Sequence, residues 1–231
     1  MSTATLCFIA WVWRKWEVSL LAIISLCLAN IHLVRCFGKN YLSDRGLSEI
    51  HLLCLGIGLT LLITSLVRKY SPSAVLKSLL AHSGLVLSLL VLVFLVGNYM
   101  SHPNLNTVSP FRFFVSGAMA FLAALYFRSA ARKPQDGEEK YVDIFEGVYH
   151  FGLSMSFWCL TLMIPFMRSP QTAILAFGLP AIYFYYMTEW YNSQGKAHHV
   201  YRNSSSLLIL VLLILYVFKG FVHMTFYPEV Q

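Results

Sequence analysis

Five polar side chains share one face of an apolar stretch. Asp143, Glu146, His150, Ser154 and Thr161 lie within YVDIFEGVYHFGLSMSFWCLTLMIPFMR, residues 141–168. At about 100° per residue their spacing gathers them into a narrow stripe on a helix. Ionisable groups on an apolar spanning helix are costly against lipid, so the stripe should face other helices, a cavity or a ligand. Glu146 and His150 stand four apart and can meet on a helix face. There the carboxylate would orient the imidazole and raise its basicity, which makes the two the candidate catalytic pair.

Three chemistries suit these residue types. A metal site would draw on His82, Glu146, His150 and Glu189, with His198 or His199 in support, as nitrogen and oxygen ligands for zinc or iron. A water bound there would attack or oxidise a lipid-like substrate. A proton or ion path would run along Asp143, Glu146 and His150. A head-group site would have the tyrosines of YFYYMTEWY as its wall, and Asp143, Ser154, Tyr186 and Glu189 are the candidates for a substrate or ion pathway. A purely structural role is the competing reading, in which Glu146 and His150 join neighbouring helices by a hydrogen bond. His198 and His199 are adjacent and would point about 100° apart on a helix, so they suit a solvated loop better than one shared ion. Lys219 and His223 form a second i, i+4 pair, where the lysine can snorkel to the membrane surface.

The elements that must position these groups are long apolar runs. The chain has 231 residues, 58% hydrophobic and 12% charged, with a mean hydropathy of +0.64. A soluble domain carries about a quarter charged residues, so lipid must cover much of this surface. The spacing predicts an all-α polytopic bundle of one domain, 1–231, with about seven transmembrane helices. They are expected near 18–34, 48–67, 74–99, 111–127, 141–167, 172–191 and 205–226. The start, TATLCFIAWVW, is too short to span alone and reads as an interfacial segment or the front of a tilted first helix. Gly56 and Gly58 predict a close helix contact, as do the small residues from Ser116 to Ala124. Pro180 predicts a kink.

The net charge of +7 comes from basic residues between the runs, where they set topology and leave no groove for nucleic acid. Their bias places the N-terminus in the cytoplasm and the C-terminus outside, in a cell inner or plasma membrane. That topology puts His82, Asp143, Glu146 and Glu189 in the cytoplasmic half of the bilayer and His150 near its middle. The five cysteines show no CxxC and read as small packing residues.

The histidine boxes of membrane hydroxylases, the closing His-x-x-x-His of seven-span metal hydrolases and the haem-pair histidines of b-type cytochromes are not evident. With short loops and no complete catalytic motif, the sequence favours an accessory subunit of a larger membrane complex, whose partners are lipids and other membrane subunits. A membrane-embedded enzyme acting on a lipid-like substrate, and a proton- or ion-conducting element, are the alternatives.

Overall fold

A computed structural model describes residues 3–13, 15–41, 47–71, 74–101, 105–132, 139–168 and 171–226. Side chains are described at all of these except 11, 13, 39–41, 100, 101 and 218–226. The chain is 92% helical without strands among the described residues. It divides into two compact units, Met1–Phe94 and Leu95–Gln231.

The N-terminal unit begins with α1 (Thr3–Trp13) and α2 (Trp16–Tyr41). The two are separate helices, so α1 is not the front of one long helix. Thr3 Oγ1 lies 3.0 Å from Ser25 Oγ. Thr3 and Ser25 stand at similar distances from the intervening turn, so α1 folds back along α2. Next comes α3 (Glu49–Tyr70), with Glu49 in its first turn and Arg68 and Lys69 in its last, each sign matched to the helix dipole. Ser71 ends it in an extended conformation, as a residue before proline favours. The close contact expected at Gly56 is present: a Cβ there would stand 2.6 Å from Ile31 Cα. Beside it, Asn30 Nδ2 donates to Thr60 Oγ1 at 3.0 Å, and Thr60 donates in turn to Gly56 O at 2.9 Å. Two buried polar side chains are thereby satisfied across the α2–α3 seam. Ile23, Leu76 and Leu80 form an apolar core cluster. The last two lie on α4 (Ala74–Ser101), which runs on past the boundary between the units.

The C-terminal unit contains α5 (Pro110–Arg132), α6 (Val142–Thr161), α7 (Gln171–Ala173), a π-helical segment (Ile174–Gly178), α8 (Leu179–Ser193) and α9 (His199–Phe226). The small-residue helix α5 packs antiparallel to α6. Gly117 faces Leu160 and the carbonyl of Ser156, and Ala124 faces Gly152, where an added Cβ would meet Ala124 Cβ at 2.9 Å. Ser156 Oγ donates across this seam to Gly117 O at 2.8 Å. The segment Leu105–Thr107 is a short 3-10 turn. Arg168 ties the chain beyond it down, donating to Asn106 O at 3.3 Å and Val108 O at 3.2 Å. Its Nε donates to Leu162 O at 3.1 Å.

Among the described residues, five helical stretches are long and apolar enough to cross a membrane: Trp16–Gly38, Glu49–Tyr70, Ala74–Tyr99, Pro110–Arg132 and His199–Val217. This supports a multi-pass membrane protein. The expected count of about seven is not confirmed, and the shortfall lies at 141–167 and 172–191. The first of these is α6, whose acids, histidine and hydroxyls dilute its hydropathy. It stops at Thr161, because Pro165 lacks an amide hydrogen and Ile164 before it is extended. The second is broken into short pieces by the π-segment. Its cause is Pro180, which cannot donate to the carbonyl four residues back. The Leu179 amide instead reaches Ile174 O, five residues back. A widened turn thus stands where a kink was expected.

Candidate functional site

The polar-stripe helix α6 is the centre of the C-terminal unit. On one side it meets α5, and on others the π-segment, α8 and α9. Trp158 Nε1 donates to Thr172 Oγ1 at 3.0 Å, and its ring meets that of Phe177 at 5.8 Å. Further along, the rings of His150 and Phe184 lie 4.5 Å apart. These pairings make α8 antiparallel to α6. Helix α9 returns beside α8, with Ser205 Oγ donating to Ala181 O at 3.1 Å. It reaches α6 at Gly147, where a Cβ would stand 3.7 Å from Ser204 N.

Between α6, the π-segment and α8 an open groove of about 510 Å³ remains. Its α6 wall is His150, Leu153, Ser154 and Phe157. The opposite wall is Leu175 and Ala176 of the π-segment with Leu179, Pro180, Tyr183 and Phe184 of α8. Four of these six belong to the widened turn and its proline, so the local fold of IleLeuAlaPheGly-LeuPro makes the cavity. π-turns inside α-helices recur at functional sites for this reason.

The groove is apolar along most of its length and polar at one end. His150 closes that end. One helical turn beyond, Glu146 Oε2 lies 3.9 Å from His150 Nε2, and the two side chains are 25% and 26% exposed. Ser154 is buried and lines the groove. The imidazole also touches the ring of Tyr149 at 4.9 Å. Tyr149 in turn accepts from Arg128 Nη1 at 2.8 Å, with the guanidinium over its ring at 5.1 Å. Arg128 is close enough to act electrostatically on His150.

Beyond Glu146 stands an aromatic group from α8 and α9. Phe184 stacks on Tyr201 at 6.0 Å, and Tyr191 stacks on Tyr201 at 5.4 Å. Tyr191 also meets His198 at 4.2 Å. The Tyr201 hydroxyl lies within electrostatic range of Tyr191, Tyr183 and Glu146.

The structure therefore gathers part of the expected stripe. His150 and Ser154 line the groove, and Glu146 stands one turn beyond its His150 end. Asp143 sits half-buried in the first turn of α6, and Thr161 is turned back to Trp158 O at 2.7 Å. Tyr186 and Glu189 are exposed on α8, Tyr186 at 72%. His82 belongs to the N-terminal unit, where its Nδ1 lies 2.8 Å from Ser78 O. Among the described residues, no three His, Cys, Asp or Glu side chains stand close enough together to share a metal ion. His198 contacts tyrosines while His199 Nδ1 accepts from Arg202 at 3.1 Å, so the adjacent pair does diverge. The side chains of Lys219 and His223 lie outside the described residues. The cysteines are free, with Cys54 and Cys159 buried.

Sequence reasoning missed Phe184, Tyr201, Arg128 and Tyr149. Tyr149 adjoins His150 and was within reach of inspection. Tyr201 was not, because the loop after α8 was expected to extend to Ser204. No protein family, curated protein or solved structure matches this chain.

Proposed function

We propose that this multi-pass membrane protein binds one lipid-like amphiphile, with its chain in the groove between α6 and α8 and its head group at the His150 end. The observation that carries the reading is the groove's polarity: an apolar trough ending in an imidazole and a serine hydroxyl, with a carboxylate one turn beyond. An amphiphile has the same sequence of properties along its length. The helices forming the trough present apolar outer faces as well. Ile144 of α6 is 51% exposed and Ile182 of α8 63% exposed, so a ligand can enter sideways from lipid without crossing water.

The test is saturable binding of a radiolabelled single-chain amphiphile to the purified protein in lipid nanodiscs. Leu179→Trp, which fills the trough, is the comparison. The reading expects one site per chain, with affinity lost in the variant. Partitioning that never saturates and is identical in both proteins would refute it.

A second reading, an accessory subunit of a membrane complex, draws on α2 and α9. Only 17% of the apolar window of each is buried within the chain, which leaves broad helix faces for lipid or for partner helices. Native mass spectrometry after gentle extraction separates these. A stoichiometric protein partner supports the subunit role, whereas a lone chain carrying lipid does not.

A further inference from the structure

We propose that the polar end of the groove selects an ammonium-bearing head group, so that the ligand is a choline- or ethanolamine-type lipid. The inference rests on the amphiphile reading above and names the chemistry of its head.

The argument starts from Glu146. Its carboxylate is three-quarters buried, and among the described residues no lysine or arginine forms an ion pair with it. A buried carboxylate without a cation is costly. Among the described residues its close titratable neighbour is the His150 imidazole, at a separation too long for a hydrogen bond. The surroundings on the α8 and α9 side are aromatic: Tyr201 and Tyr183 lie within electrostatic range of one another, Glu146 is near the first, and Phe184 bridges Tyr201 and His150. Aromatic faces carry partial negative charge, and a carboxylate beside them adds a full one. Such a combination attracts ammonium ions, and aromatic surroundings favour quaternary ones in particular.

Arg128 is a cation close enough to His150 to oppose this. It approaches from α5, and its guanidinium is committed to Tyr149 by a hydrogen bond and a ring contact. Its field favours a phosphate on that side of His150. A choline or ethanolamine phospholipid carries both groups next to each other, with the ammonium outermost. The phosphate would sit toward His150 and the ammonium toward Glu146 and Tyr201.

The experiment uses three probes with the same acyl chain: lysophosphatidylcholine, lysophosphatidic acid and monoacylglycerol. Each competes against a fluorescent single-chain amphiphile on the protein in nanodiscs. The proposal expects lysophosphatidylcholine to bind about tenfold tighter than either of the others, the size of a desolvated cation–aromatic contact. Glu146→Gln should reduce it to the monoacylglycerol level. Glu139→Gln, which removes an exposed carboxylate just before α6, should leave the preference intact. Circular dichroism of Glu146→Gln checks its fold, and Tyr201→Phe, which keeps the ring and removes the hydroxyl, should retain most of the preference. Equal binding of all three probes, or tighter binding of lysophosphatidic acid, would overturn the ammonium proposal while leaving the amphiphile site standing. Failure of every probe to compete would sink both.

Discussion

The imidazole of His150 lies 4.5 Å from the ring of Phe184, and this contact joins the polar end of α6 to the aromatic face of α8. Phe184 also stacks on Tyr201, so one phenyl ring fixes the relation of three helices around the groove. Phe184→Leu keeps the site apolar and removes both ring contacts. It should cost about 1 kcal/mol in stability and weaken amphiphile binding severalfold. A thermal melt followed by tryptophan fluorescence reads the first effect, and equilibrium binding reads the second. Unchanged binding would show that His150 is held by something other than this ring.

The α5–α6 seam leaves no space at Gly152. A side chain there would press on Ala124 Cβ and the carbonyl of Ala120, neither of which can swing aside. Gly152→Leu should force the helices apart at an overpacking cost of about 1–3 kcal/mol. Because α6 carries one wall of the groove, binding should fall with stability. Limited proteolysis of the detergent-solubilised protein would report the loosening. A variant as resistant as the parent would contradict the close approach.

In the N-terminal unit the same logic applies to Gly56 and gives a sharper contrast. Gly56→Ala would place a methyl group 2.6 Å from Ile31 Cα, against backbone. It should strain the Asn30–Thr60 hydrogen bond and lower the melting temperature by several degrees, as expected for about 1–3 kcal/mol. Gly97→Ala meets nothing within 4 Å. That substitution should be neutral or stabilising by up to about 1 kcal/mol through helix propensity. Equal effects of the two would remove the packing argument.

Arg168 is a further structural anchor. It donates to three carbonyls, those of Asn106, Val108 and Leu162, and lies 5.4 Å over the Phe113 ring. Arg168→Leu should cost about 2 kcal/mol, in line with hydrogen bonds from a charged donor. Arg168→Lys should recover only part of this, since an ammonium cannot span the same fork. Chemical-denaturation midpoints of the three proteins would show the order Arg, Lys, Leu. A lysine variant equal to the parent would mean that charge alone suffices.

Much of the scaffold was readable because lipid-facing helices leave a direct trace in hydropathy. The runs at Val18, Ser48, Ala74 and Phe111 all became helices close to their expected bounds. The glycine and alanine positions marked the tight seams, since only small residues allow helix backbones to approach that closely. The two segments that form the groove were harder for a common reason. The polar residues of its stripe lower the hydropathy of α6, and a proline that opens a π-turn also divides the next helix. The far end of α8 and the start of α9 were obscured differently. Gly195 adopts a positive φ of 68° and ends the chain's run from α8. Helix then resumes at once from His199, where the polar sequence HHVYRNSS suggested a longer loop. That misplacement hid Tyr201, which lies within electrostatic range of Glu146. Stripe geometry sets Glu146, His150 and Ser154 on one face of α6, because a helical period needs no knowledge of neighbours. It could not separate them from Asp143 and Thr161, whose surroundings depend on helices distant in sequence.

The central claim is that an amphiphile occupies the trough between α6 and α8. Photo-crosslinking tests it most directly. A single-chain amphiphile carrying a diazirine midway along its alkyl chain is irradiated with the protein in nanodiscs, and the labelled peptides are identified by mass spectrometry. The account predicts label concentrated on Leu153–Phe157 and on Leu175–Tyr183, displaced by excess unlabelled amphiphile. Label spread evenly over outward-facing residues such as Leu89, Phe121 and Leu213, with no displacement, would contradict it.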